Sequence, residues 1–172
     1  MRHPKILVFS GSIRGGSLNT RLAGLAAKRL ALADAEVTRI SLADYQMPIY
    51  DGDLEQEKGP PEAARKLKRL MQEQHGVFIA CPEYNAGMTP LLKNTLDWVS
   101  RVADQGEAPG IAFKNRVFCL GAASPALSAA FAASSAHAPY SKSGLAHWFC
   151  RKWPWCLMLA KPLIRKAISS TK

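Results

Sequence analysis

Residues 10–20 read Ser10-Gly11-Ser12-Ile13-Arg14-Gly15-Gly16-Ser17-Leu18-Asn19-Thr20 and follow the apolar run Lys5-Ile6-Leu7-Val8-Phe9. The segment offers the hydroxyls of Ser10, Ser12, Ser17 and Thr20, the guanidinium of Arg14, the amide of Asn19 and the backbone N–H groups of a helix start. Helix N-termini favour anions, and arginine grips phosphate with two parallel hydrogen bonds. Many short donors around one cation suit a compact phosphate monoester, which has three acceptor oxygens. The loop is not a nucleotide-triphosphate loop: that motif ends in Gly-Lys-Ser/Thr, and here Gly16-Ser17-Leu18 stands instead. Nor does it contain the GxGxxG of dinucleotide sites. Taken alone, a capped turn with a solvated Arg14 remains the simpler alternative.

A second stretch, Pro82-Glu83-Tyr84-Asn85-Ala86-Gly87, follows another apolar run. Pro82 stiffens the exit, Tyr84 presents an aromatic face, and Asn85 and Gly87 permit tight backbone geometry beside a ligand. Glu83 has the chemistry of a general base, but such a residue also commonly pairs with a helix N-terminus or a subunit partner. The alternative for Tyr84 is an ordinary core or surface aromatic. A third short loop, Gly121-Ala122-Ala123-Ser124-Pro125, closes a later apolar run.

The elements that must position these loops are legible from periodicity. Strands are expected at 5–10, 36–41, 76–81 and 115–120, and helices at 17–33, 62–74 and 90–101. Ser17 or Asn19 caps the first helix. Leu67, Leu70 and Met71 point inward from the second, which carries a basic outer face, and Leu91, Leu92, Leu96 and Val99 from the third. Residues 44–59 read as a long polar loop with Pro48, Gly52 and Gly59. Strands that are apolar on both faces and alternate with helices indicate a parallel sheet covered on both sides. Ligands of such sheets bind beyond the carboxyl ends of the strands, so the three loops should meet at one edge.

The 172 residues suit one domain, and 48% hydrophobic content is enough for a sizeable core. The cysteines, Cys81, Cys119, Cys150 and Cys156, form no CxxC pair and accompany no histidine cluster, so no metal is expected. The N-terminus enters a strand directly, without the apolar stretch of a signal peptide, and no run is long enough for a membrane span. A cytoplasmic protein is expected.

The net charge of +10 is unevenly distributed. Residues 1–107 carry 14 Lys and Arg against all 13 acids, whereas residues 108–172 carry 9 Lys and Arg and no acid. Residues 126–172 also hold 10 alanines and three of the four tryptophans.

The strand followed by Gly11-Ser12-Ile13-Arg14-Gly15-Gly16-Ser17-Leu18-Asn19, with Pro82-Glu83-Tyr84-Asn85 after the third strand, resembles the NADPH-dependent FMN reductase family, a flavodoxin-like group that includes chromate, quinone and azo-dye reductases. "PIYDGDLEQEKGPPEA" and "LKNTLDWVSR" resemble it too, and the likeness covers roughly residues 4–125. It implies a flavodoxin-like three-layer α/β sandwich, strand order 2-1-3-4-5, binding FMN. Ser12, Arg14, Ser17 and Asn19 would hold the FMN phosphate. Pro82, Glu83, Tyr84, Asn85 and Gly87 would line the flavin ring, with Ser124 near its pyrimidine edge. The implied activity passes electrons from NADPH or NADH through FMN to small acceptors such as quinones, azo dyes, chromate or flavin, with no catalytic acid or base from the protein. A homodimer or homotetramer is implied, with Glu83 and Arg101 as candidate subunit contacts and no nucleic-acid or membrane partner. The rivals are an electron-carrier flavoprotein and a nucleic-acid or membrane binder using the basic tail.

After residue 125 the sequence departs from the family pattern, dividing the chain into an FMN-binding domain, 1–125, and an atypical basic segment, 126–172. Three readings fit that segment. It is a divergent ending with helices at 126–135 and 162–170 and a fifth strand at 155–160, or the product of an altered reading frame, or a functional basic arm. The fifth strand is therefore the doubtful element of the fold.

Overall fold

The computed structural model describes residues 3–85, 87–108, 110–124 and the backbone of 148–150. β1 (Lys5–Ser10) leads through the first loop into α1 (Leu18–Ala31), then β2 (Glu36–Arg39). A short 3-10 turn at Leu42–Asp44 precedes α2 (Gly52–Lys58) and α3 (Glu62–Gln72). β3 (Gly76–Ala80) is followed by a two-strand hairpin, β4 (Glu83–Tyr84) and β5 (Gly87–Met88), and by α4 (Pro90–Arg101). A 3-10 turn at Ile111–Phe113 leads to β6 (Val117–Gly121), and β7 is Trp148–Cys150.

The sheet order is β2-β1-β3-β6-β7. β1 pairs in parallel with β2 and β3, and β3 with β6, which is the expected 2-1-3-4 arrangement of a flavodoxin-like sheet. Beyond β6, β7 runs antiparallel, with Leu120 opposite Phe149. An antiparallel edge strand on a parallel sheet is a common device. The fifth strand expected at 155–160 and the two flanking helices fall outside the described residues.

Alternation along the strands builds two cores. Leu7, Phe9, Val77 and Ile79 face Leu67, Met71, Leu92 and Val99 of α3 and α4. Val8, Phe78 and Ala80 face Leu22, Ala23 and Ala26 of α1. The continuous apolar runs of β1 and β3 are thus strands buried on both sides.

Two elements differ from the expectation. The supposed loop at 44–59 contains α2, whose N-terminus is capped by the Asp51 carboxylate accepting from the N–H groups of Asp53 (2.8 Å) and Leu54 (3.0 Å). No residue of α2 is buried, so it shows no apolar periodicity. The second difference is Lys68, which belongs to the expected basic face of α3 but is 1% exposed. The segment after α4 folds over it, and its ammonium donates to Asp104 (2.6 Å) and to Glu107.

Burial opposes the Lys68 charge, yet the bonds to the two carboxylates outweigh it and raise its pKa. The Lys68 ammonium, with the Asp104 N–H and the Gln72 amide, pulls the Glu107 carboxyl down to about 2 from 4.5. A depressed carboxyl pKa adds stability above its unfolded value and loses it as pH falls towards its folded value. Glu107→Gln is therefore expected to melt at a lower temperature than the parent at pH 7. The gap should narrow below about pH 4.5 and close near pH 2, as read from thermal melts across that range. A gap independent of pH would count against this ion pair.

Candidate functional site

The three loops expected at one edge do meet there. The Thr89 hydroxyl, at the N-cap of α4, donates to the Gly11 carbonyl (2.7 Å), and the Gly11 N–H donates to the Ala80 carbonyl (2.8 Å). The Cys81 N–H donates to the Gly121 carbonyl (2.6 Å). Gly11 is a close-approach glycine: a Cβ there would stand 3.0 Å from the Cβ of Leu92 and 3.2 Å from the Cδ of Pro82. A side chain there would require Leu92 or Pro82 to shift.

Within the first loop, the Ser10 hydroxyl accepts from the Ser12 N–H (3.1 Å) and the Ser12 hydroxyl from the Arg14 N–H (3.4 Å). A hydroxyl that accepts a loop N–H keeps its own proton to donate. The Ser17 side chain is the N-cap of α1, accepting from the Thr20 N–H. Asn19 is 5% exposed, and its amide clasps the exit of β6: Nδ2 donates to the Ala123 carbonyl and Oδ1 accepts from the Ala123 N–H, both at 2.9 Å. Ser17 and Asn19 thus set the shape of the loop and tie it to the third loop.

A cavity of about 520 Å³ lies against this loop. Ser10, Ser12, Arg14 and Thr20 line it from the first loop and the start of α1, and Arg39, Ile40 and Ser41 from the exit of β2. Of the four residues expected around a phosphate, Ser12 and Arg14 reach this cavity. Arg39 and Ser41 were missed, since in "EVTRIS" they read as the polar positions of an alternating strand. Their place at this cavity follows only from the parallel pairing of β2 with β1, which sets Arg39 opposite Val8.

β4 and β5 pair antiparallel, Glu83 with Met88 and Tyr84 with Gly87. Asn85, directly after β4, takes the left-handed conformation (φ 51°), a geometry asparagine tolerates better than most residues. Pro82 is buried, Glu83 and Gly87 are half-buried, and Tyr84 and Asn85 are exposed. Ser124 is exposed at the exit of β6. Cys81, behind this hairpin, is a buried free thiol whose pKa is pushed up to about 11, by burial first and by the Glu83 charge second. It stays protonated at neutral pH and is no nucleophile. Arg101 donates from Nε to both carboxylate oxygens of Glu55 (2.8 and 3.0 Å), so this candidate subunit contact is engaged within its own chain.

A doubly covered parallel sheet with a hydroxyl- and guanidinium-lined loop at the exit of its first strand defines a flavodoxin-like α/β protein. The family model of NADPH-dependent FMN reductase matches residues 4–140, and the chain belongs to that family. The match runs past residue 125, where the composition shifts. A quinone reductase of Escherichia coli (strain K12) is 39% identical over 102 residues, 59% of this chain and 53% of that protein. A 2-hydroxy-1,4-benzoquinone reductase of Burkholderia sp. is 36% identical over 122 residues, 69% of this chain and 64% of that protein. Among solved structures, FerB of Paracoccus denitrificans, a flavoenzyme NAD(P)H:(acceptor) oxidoreductase, superposes with a TM-score of 0.61 at 28% identity, covering 77% of this chain and 68% of that one. The chain spans about half the length of most of the curated relatives it matches.

Proposed function

We propose that this chain is an FMN-dependent NAD(P)H oxidoreductase that passes electrons from NADPH or NADH to small acceptors such as quinones, azo dyes, chromate or flavin. The observation that carries the reading is the cavity at the β1 exit, which hydroxyls and guanidiniums of the first loop and of the β2 exit line together. The donor set fits a phosphate monoester, and the Pro82–Tyr84 stretch fits a flat heteroaromatic ring. Family membership and the names of the relatives support the same assignment.

In this reading Ser12, Arg14, Ser17 and Asn19 hold the FMN phosphate, and Ser17 and Asn19 also fix the loop through the α1 cap and the bonds to Ala123. Pro82, Glu83, Tyr84, Asn85 and Gly87 line the ring, and Ser124 lies at its pyrimidine edge. Bound FMN supplies the hydride acceptance and donation. The chain's residues bind, orient and shield it, and none is assigned as a catalytic acid or base. The reading includes a cytoplasmic homodimer or homotetramer. Among the described residues no helix is long and apolar enough to cross a membrane. It also divides the chain into an FMN-binding unit, 1–125, and a basic segment, 126–172. Translating the neighbouring frame of the gene separates an altered frame from a divergent ending.

The test is direct. The purified full chain is expected to bind FMN, with flavin absorption and quenched flavin fluorescence, and to oxidise NADPH or NADH when a quinone is added. A colourless protein that ignores FMN, above all one that retards DNA in a gel, overturns the assignment.

A further inference from the structure

The cavity carries more positive charge than the first loop supplies. Arg39 lines it from the exit of β2, a different element from the loop that carries Arg14. Its Nη2 donates to the Thr20 carbonyl at a long 3.4 Å, and its guanidinium lies over Gly24 of α1. A Cβ at Gly24 would stand 3.3 Å from Nη1, so the bare glycine makes room for the arginine. Among the described residues, no carboxylate lies within ion-pair distance of Arg14 or Arg39. Two guanidiniums without a carboxylate partner that line one cavity repel each other unless an anion stands between them. A phosphate monoester near neutral pH carries close to two negative charges, and one arginine leaves half of that uncompensated.

We propose that Arg39 is a second cation of the phosphate cradle: the guanidiniums of Arg14 and Arg39, from two different elements, bracket the terminal phosphate of the flavin mononucleotide, with the hydroxyls of Ser12 and Ser41 beside them. This rests on the FMN reading above and adds its selectivity. The chain distinguishes FMN from riboflavin, which lacks the phosphate, by two charges rather than one. Arginine suits the task because its planar fork offers several N–H donors, of which the Thr20 carbonyl takes one.

The experiment measures the affinity of the full chain for FMN and for riboflavin, read from quenching of flavin fluorescence, in the parent, Arg39→Gln and Arg39→Lys. Arg39 is exposed, and a matching thermal melt confirms that each variant is folded. Arg39→Gln is expected to weaken FMN about tenfold or more, from the loss of charge-assisted hydrogen bonds, and to leave riboflavin unchanged. Arg39→Lys keeps the charge and loses the fork, and should fall between. If the parent binds FMN and folded Arg39→Gln binds it equally well, the inference fails while the FMN reading stands. If that variant instead raises only the KM for NADPH and not for NADH, Arg39 serves the coenzyme's extra phosphate and the inference is overturned. A parent that does not bind FMN overturns both.

Discussion

Trp98→Ala is expected to lower unfolding stability by about 3–5 kcal/mol, the range for deleting a buried aromatic. Trp98 is 0% exposed and meets Tyr50 edge to face, with ring centroids 5.0 Å apart. It packs with Ala64 and Val102, and with the half-buried Met47, Tyr50 and Leu54. Its indole N–H donates to the Pro48 carbonyl (2.8 Å), which also accepts from the Asn94 amide (2.8 Å), while Asn94 Oδ1 accepts from the Tyr50 N–H (2.7 Å). This set pins the 45–51 segment to α4. Truncation opens a ring-sized void and frees the segment at once. Trp98→Phe refills most of the space and leaves the Pro48 carbonyl with its Asn94 donor, so about 1–2 kcal/mol is expected. Denaturant unfolding of the two variants checks both magnitudes. Flavin affinity well below the melting range should stay at the parent value, because the void lies away from the first loop. A Trp98→Ala loss under 1 kcal/mol would contradict the packing described.

Arg14→Ala is expected to weaken FMN about 10- to 100-fold, corresponding to about 1.5–3 kcal/mol for hydrogen bonds to a charged group. The side chain is exposed and makes no described ion pair, so its loss leaves the fold intact. The loop keeps its shape through Ser17 capping α1, Asn19 clasping Ala123, and Thr89 holding the Gly11 carbonyl. The effect should therefore be confined to phosphate-bearing ligands, with riboflavin affinity unchanged. It should also shrink as ionic strength rises, since the cavity is open to solvent. Equal losses for FMN and riboflavin would mean that Arg14 shapes the loop rather than holding the phosphate. Unchanged FMN affinity would remove Arg14 from the site.

Much of the fold was legible beforehand. β1 was expected at 5–10 and is Lys5–Ser10; α4 was expected at 90–101 and is Pro90–Arg101. Both carry strong apolar patterns with clear boundaries: Ser-Gly-Ser after the strand, and Pro90 at the first turn of the helix. α2 was not legible, because a helix with no buried residue has no periodicity to read. It is held instead by the Asp51 cap and by Glu55, which accepts from Arg101 and from the Tyr50 hydroxyl (2.9 Å). Lys68 read as part of a solvated face because nothing local announces the carboxylates of residues 104 and 107, brought over it by the chain's return after α4.

The sequence by itself determined the alternation of strands and helices, and hence the edge where three polar loops converge. It also determined the chemistry on offer there: hydroxyls, an amide and a guanidinium ahead of a helix. Only the tertiary structure decided which of these polar groups face the cavity and which hold the loops. A serine hydroxyl caps a helix or binds a phosphate with the same atoms, and an asparagine amide clasps a backbone as readily as a ligand. Ser17 and Asn19 bond Thr20 and Ala123, whereas Ser12, which accepts from the Arg14 N–H, and Arg14 line the cavity. Arg39 joined them because the parallel pairing of β2 with β1 sets residue 39 opposite Val8, at the sheet edge from which the first loop leaves. That juxtaposition is a property of sheet order, and no local stretch of the chain encodes it.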